Sequence, residues 1–152
     1  MTRAEKARQY FIEGYTCSQA VVMAFIDLIN LSEEQAIKVS LPLGGGLGRL
    51  RLTCGALTGA SLVVGMIFGK NEISEENKMD VYEKVREISK RFVEKEKTLN
   101  CKELLELASL EVETGGTPEK RTEEYYKKRP CAKIVYSAAE ILENYLKEEQ
   151  II

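Results

Sequence analysis

The chain has no histidine and no tryptophan among its 152 residues, and only three prolines. Without histidine there is no imidazole to ligate a metal, act as a general base near neutral pH, or activate a cysteine nucleophile. Long hydrophobic runs are missing too. The most apolar stretch, Leu52 to Phe68, is interrupted by Gly55, Gly59 and Gly65 and by Thr53, Thr58 and Ser61. It falls short of the ~20 apolar residues that cross a bilayer, so it reads as a buried helix and no membrane span is expected. Neither sign of charge dominates: 22 basic and 24 acidic side chains leave a net charge of −2. The attraction that drives nucleic-acid binding is then absent unless basic groups cluster, and no nucleic-acid partner is expected. Strand-type alternation, internal repeats and linker-like tracts are also lacking. With 44% hydrophobic and 30% charged residues, the composition fits one folded domain over residues 1–152. The opening MTRAEKARQY is charged from its start with no apolar signal region, which makes a cytoplasmic location the expectation.

What the chain does have is four cysteines, Cys17, Cys54, Cys101 and Cys131, each directly after a residue that starts helices: Thr16, Thr53, Asn100 and Pro130. Unpaired N–H groups and partial positive charge at a helix N-terminus favour thiolate over thiol. Between successive cysteines lie 36, 46 and 29 residues, and there is no Cys-x-x-Cys. Thioredoxin-type sites, zinc ribbons and ferredoxin-like runs all need a close pair, so none of them is supported. Any site using all four sulfurs has to be assembled by tertiary folding. The bland alternative is that the cysteines are small buried hydrophobes.

Periodicity predicts an all-α single-domain bundle of about seven or eight helices. Ala4, Ala7 and Phe11 face inward on a first helix that Gly14 ends. Thr16 with Gln19, Ser32 with Gln35, and Asn100 with Glu103 have the spacing of capping boxes. The helix from Cys54 to about Phe68 is apolar almost all round and is expected at the centre. Its glycines suggest that something presses on its backbone. A long charged helix from Ser74 to about Thr98 carries one narrow stripe, Val81, Val85, Ile88 and Phe92. Residues 109–121 read as a mobile loop, 119–128 as a short solvated helix, and the last helix starts at Pro130 or Cys131. The Gly44–Gly48 loop, followed by Arg49 and Arg51, either turns the backbone tightly or cradles an anion. No Gly-Lys-Ser/Thr follows it, which argues against a nucleotide loop. Tyr125, Tyr126 and Tyr136 read as packing or interface residues, and with the apolar stripe they leave room for a homodimer.

The order Cys17 … Cys54-Gly55-Ala56-Leu57-Thr58-Gly59 … Cys101 … Cys131 resembles the C_GCAxxG_C_C family of small prokaryotic proteins described as redox-active. The likeness extends to Glu13–Ala20, Gly44–Gly46, Asn100–Leu105 and Ala138–Leu142. It implies a helical domain and a shared role for the four cysteines, with no established substrate. Similar modules accompany haem domains in split-Soret-type cytochromes, which leans toward electron transfer. This chain has no Cys-x-x-Cys-His and cannot attach a c-type haem.

Three functions remain open at this level. In a redox protein, two cysteines cycle between dithiol and disulfide, with Cys54 expected to attack. Alternatively, Cys17, Cys54, Cys101 and Cys131 ligate an iron–sulfur cluster, with Gly55, Ala56 and Gly59 contacting the cofactor. The second class is a structural zinc site built from the same four thiolates. The third is a helical interaction module with inert cysteines. The electron partner, whether a protein or a small carrier, is not legible.

Overall fold

The computed structural model describes residues 1–152. Eight α-helices follow in chain order: α1 (Arg3–Ile12), α2 (Cys17–Ala24), α3 (Glu33–Ser40), α4 (Gly55–Phe68), α5 (Glu75–Glu96), α6 (Cys101–Leu107), α7 (Glu123–Lys128) and α8 (Cys131–Glu148). No helix is long and apolar enough to cross a membrane.

Local chemistry sets the helix starts. Thr2, Thr16 and Ser32 each accept from the amide three residues on, while Glu5, Gln19 and Gln35 reach back to the cap amide, completing three capping boxes. At α6 only half of the expected box forms. Asn100 accepts from the Glu103 amide, but the Glu103 carboxylate takes the Thr98 hydroxyl instead of the Asn100 amide. The Asn100 amide donates to Thr98 Oγ1 at 3.1 Å. α7 begins at Glu123, capped by Thr122, later than the sequence suggests.

Two helices share the centre. α4 buries Gly55, Ala56, Leu57, Gly59, Ala60, Val63 and Val64, as its apolar character requires. α2 is still more enclosed, with every residue from Ser18 to Ala24 buried between α1, α3, α4 and α8. Its polar members are satisfied locally: Ser18 Oγ donates to the Ser40 carbonyl at 2.7 Å and Gln19 Nε2 to the Ile37 carbonyl at 3.1 Å. Gly59 lets α4 lie against α2, since a Cβ there would fall 2.7 Å from the Ser18 carbonyl oxygen. α8 packs along α1 and contributes Ile134, Val135, Ala138, Ala139 and Leu142 to the core.

The apolar stripe of α5 is used inside the molecule. Ile88 and Phe92 are buried and Val81 and Val85 pack on the core, so this stripe is not left over for an interface. Arg91–Glu148 at 2.7 Å and Lys95–Glu140 at 2.9 Å tie α5 to α8. Surface pairs of this kind add little to stability.

The glycine segment is the least regular part. Gly45, Gly46, Leu47, Gly48 and Arg49 form an uninterrupted run of positive φ, between 55° and 70°, and Arg51 follows at 60°. A left-handed backbone costs a non-glycine residue about 1–2 kcal/mol, so Leu47, Arg49 and Arg51 hold strained conformations that the surroundings must impose. Hydrogen bonds from the Arg51 amide to the Gly45 carbonyl (3.1 Å) and from the Leu52 amide to the Gly46 carbonyl (3.0 Å) close the turn.

Candidate redox site

All four cysteines are placed at helix starts as the sequence predicts. Cys17, Cys101 and Cys131 are the first residues of α2, α6 and α8, and Cys54 is the N-cap of α4. The four helix starts converge. Cys17, Cys54, Cys101 and Cys131 line one cavity of about 270 Å³, and all four are free thiols.

A short antiparallel bridge gathers two of them. Thr53 pairs with Asn100, the Cys54 amide donates to the Leu99 carbonyl at 2.8 Å, and the Cys101 amide donates to the Leu52 carbonyl. Gly46 makes this approach possible: a Cβ on it would lie 2.7 Å from both Cys101 Cβ and the Leu52 nitrogen. The other two sulfurs meet across the ends of α2 and α8. Cys17 and Cys131 open those two helices and line the same cavity, and each is the largest influence on the ionisation of the other.

Arginines decide which sulfur carries charge. Arg49, Arg51, Arg121 and Arg129 all line the cavity, against one carboxylate, Glu119. Cys131 is held down to about 7, first by the hydrogen bond from Cys17 and then by the charges of Arg129, Arg121 and Arg51, with burial opposing. Cys17 is pushed well above the ordinary thiol range by that same hydrogen bond and by burial. The arginine charges act chiefly on Cys131, which is therefore the more readily ionised sulfur of the two.

Cys54, the expected attacker, does not fit that role. It is 5% exposed and burial pushes its thiol up to about 12, although the amides of Ala56 and Leu57 pull the other way. A helix dipole stabilises an anion by about 0.3–1 kcal/mol near a surface, which does not offset loss of solvent. Burial likewise raises Cys101, and Arg51 opposes it by donating from Nη1 to Cys101 Sγ at 3.7 Å. Of the three residues expected to contact a cofactor, Gly55 lines the cavity, whereas Ala56 and Gly59 are not in its wall. A Cβ on Gly55 would sit 3.1 Å from the Leu43 carbonyl oxygen, so its small size also serves packing.

Sequence reasoning missed Arg121 and Arg129 because residues 119–129 read as a solvated helix face. Arg121 lies over Phe11 at 4.4 Å and Tyr125 at 4.9 Å and donates to the Phe11 and Tyr15 carbonyls at 3.2 Å each. Arg129 pairs with Glu119 and lies 5.0 Å from the Tyr125 ring. The available signal was Arg129-Pro130-Cys131, a cation set immediately before a helix-start sulfur. The loop expected to be mobile is anchored at the cavity. Arg49 Nε donates to the Gly115 carbonyl at 2.7 Å, Arg51 Nε to the Glu113 carbonyl at 3.0 Å, and the Gly115 amide to the Arg49 carbonyl at 2.8 Å.

A metal has a harder fit. The four sulfurs face the same space, but no three cysteines or carboxylates are grouped closely enough to hold one metal ion.

These features define an all-helical four-cysteine protein with an arginine-lined thiol cavity. Comparison with known proteins agrees: residues 15–145 match the family model described as "Putative redox-active protein (C_GCAxxG_C_C)", a span that includes all four cysteines, and the chain belongs to that family. An uncharacterised protein of Archaeoglobus fulgidus is 30% identical over 165 aligned positions, covering 99% of each chain. No solved structure matches the chain.

Proposed function

We propose that the protein is a thiol–disulfide electron carrier whose working couple is Cys131 and Cys17. The observation that carries this reading is that Cys17 and Cys131, the first residues of α2 and α8, line one cavity together with Arg129, Arg121 and Arg51. A thiol ionised near neutral pH combines a high thiolate fraction with retained nucleophilicity. In the step proposed, Cys131 thiolate attacks one sulfur of a disulfide R–S–S–R, the S–S bond breaks, and one R–S⁻ leaves. Cys17, giving up its proton to the departing thiolate, then attacks the Cys131 sulfur of the mixed disulfide and expels the second R–S⁻. Two electrons pass from the protein to the substrate, and the protein ends with a Cys17–Cys131 disulfide. Cys54 and Cys101 frame the cavity and take no covalent part.

Anaerobically purified protein, titrated with mild oxidant, tests this. The free-thiol count falls by two and is restored by a dithiol reductant. A count that stays at four under native conditions rejects the proposal.

A second reading, an iron–sulfur cluster held by Cys17, Cys54, Cys101 and Cys131, is favoured by one observation, the shared cavity. It requires the sulfurs to regroup and the guanidinium of Arg51 to release Cys101. Brown protein with visible absorption and stoichiometric iron selects it over the thiol couple.

A further inference from the structure

The guanidiniums at the cavity exceed what the thiol chemistry uses. The chain has eight arginines and fourteen lysines, yet four arginines and no lysine line this cavity. Arg121 is committed to the Phe11 and Tyr15 carbonyls, and Arg129 to Glu119. Arg49 and Arg51 differ. They are only 9% and 6% exposed, and neither donates a hydrogen bond to a carboxylate. The nearest acid to Arg49 is the outward-facing Glu113, at 3.9 Å. Each spends its Nε on a carbonyl of the 113–115 segment, and Arg51 spends Nη1 on Cys101. The Arg49 terminal nitrogens and Arg51 Nη2 are left without a hydrogen-bond acceptor in the protein.

Both residues hold left-handed backbone, φ 67° and 60°, and their free donors are open to solvent, since no buried side-chain nitrogen lacks a partner. Strained backbone that places two guanidiniums with free donors in the wall of one cavity points to an anionic ligand there. The planar fork of arginine matches a carboxylate better than the point charge of lysine does. A volume of about 270 Å³ lies just below the ~300–1,000 Å³ of ordinary ligand pockets, which suits a molecule of few heavy atoms.

Resting on the thiol-couple reading, we propose that the substrate is a small carboxylate-bearing disulfide, its carboxylate seated on Arg49 and Arg51 and its S–S bond presented to Cys131. Electrons and protons move as in the exchange above. The arginines add no redox step; they hold the anion and orient it.

The test compares three short symmetric disulfides on the fully reduced protein: dithiodipropionate (anionic), bis(2-hydroxyethyl) disulfide (neutral) and cystamine (cationic). Each rate is normalised to that with a free low-mass thiol, removing intrinsic reactivity. The normalised anionic rate is expected to exceed the neutral one by roughly tenfold or more, as charge-assisted hydrogen bonds warrant, with cystamine slowest and the advantage shrinking as salt rises. In Arg49→Gln the anionic-to-neutral ratio falls toward one. The ratio is insensitive to any change in thiol nucleophilicity, and the wild-type charge series and salt dependence stand even if the variant fails to fold.

Equal normalised rates for the three probes overturn the anion site while leaving the thiol couple intact. Calorimetry with suberate, a dicarboxylate lacking the S–S bond, separates the two claims. Salt-sensitive suberate binding to reduced protein that exchanges with no disulfide supports the arginine seat and overturns the redox step. Failure of both binding and exchange overturns both.

Discussion

The two pairs of cysteines are built from the same local device and end in opposite chemical states. Cys54 and Cys101 are joined through backbone, by the Thr53–Asn100 bridge and its flanking hydrogen bonds. Cys17 and Cys131 have no such backbone link; they stand at the starts of α2 and α8 and line the same cavity. All four sit at helix starts, yet burial raises Cys54 to about 12 while Cys131 is held down to about 7. The difference lies in what surrounds each sulfur beyond its own helix. Cys131 has the Cys17 thiol and three guanidiniums acting on it, whereas Cys54 has only the amides of Ala56 and Leu57 to set against desolvation. A helix N-terminus therefore positions a sulfur, and the neighbours decide whether it ionises.

Removing one sulfur from each pair should break the symmetry most. Cys131→Ser is expected to lower the rate of thiol–disulfide exchange by roughly 100-fold or more, because the low-pKa nucleophile is gone. Cys54→Ser should leave the rate within about threefold, its thiol being almost fully protonated near neutral pH. Stopped-flow exchange with a neutral disulfide checks both. If Cys54→Ser is the dead variant, the assignment of roles is reversed.

The pairs also separate by pH. Thiolate is the reactive form, so alkylation of Cys131 by iodoacetamide should rise with pH through a midpoint near 7. Between pH 7.5 and 5.5 its rate should drop by more than roughly tenfold, following the loss of thiolate. Cys54 should show no comparable rise until far higher pH, its thiol being held up to about 12. Peptide-level mass spectrometry after timed labelling reads both cysteines in one sample.

Glycine substitutions sharpen the comparison through stability. Gly46→Ala places a methyl against Cys101 and the Leu52 backbone at a left-handed position, so the backbone-stapled pair should be disrupted at a cost of ~2–4 kcal/mol. Gly59→Ala pushes α4 off the Ser18 backbone, and overpacking of ~1–3 kcal/mol outweighs the ~1 kcal/mol gained in helix propensity. Gly65→Ala meets nothing within 4 Å and should stabilise by ~0.5–1 kcal/mol. Urea unfolding of the three variants orders them; a stabilised Gly59→Ala would contradict the close α2–α4 contact.

Much of this was written locally. Thr16 with Gln19 and Ser32 with Gln35 announce their capping boxes three residues apart, and the apolar spacing of α8 follows from Val135, Ala138 and Leu142. The shared placement of the cysteines at helix starts was legible, but their convergence on one cavity was not, because it depends on how distant helices pack. What was not legible depends on contacts between distant segments. Nothing near Arg121 in the chain announces that Phe11 and Tyr15, more than a hundred positions earlier, will receive its guanidinium. The protonation of Cys54 could not be read from its helix start because burial is a tertiary property. Likewise the 109–121 segment has the composition of a free loop, and only the carbonyls it offers to Arg49 and Arg51 hold it at the cavity.

The most direct measurement is disulfide mapping of the native protein after mild, limited oxidation. Digestion without reductant and mass spectrometry should find one predominant cross-link, between the peptides containing Cys17 and Cys131, with Cys54 and Cys101 recovered as free thiols. A Cys54–Cys101 link, or four free thiols after oxidation, would contradict the assignment of Cys131 and Cys17 as the working couple.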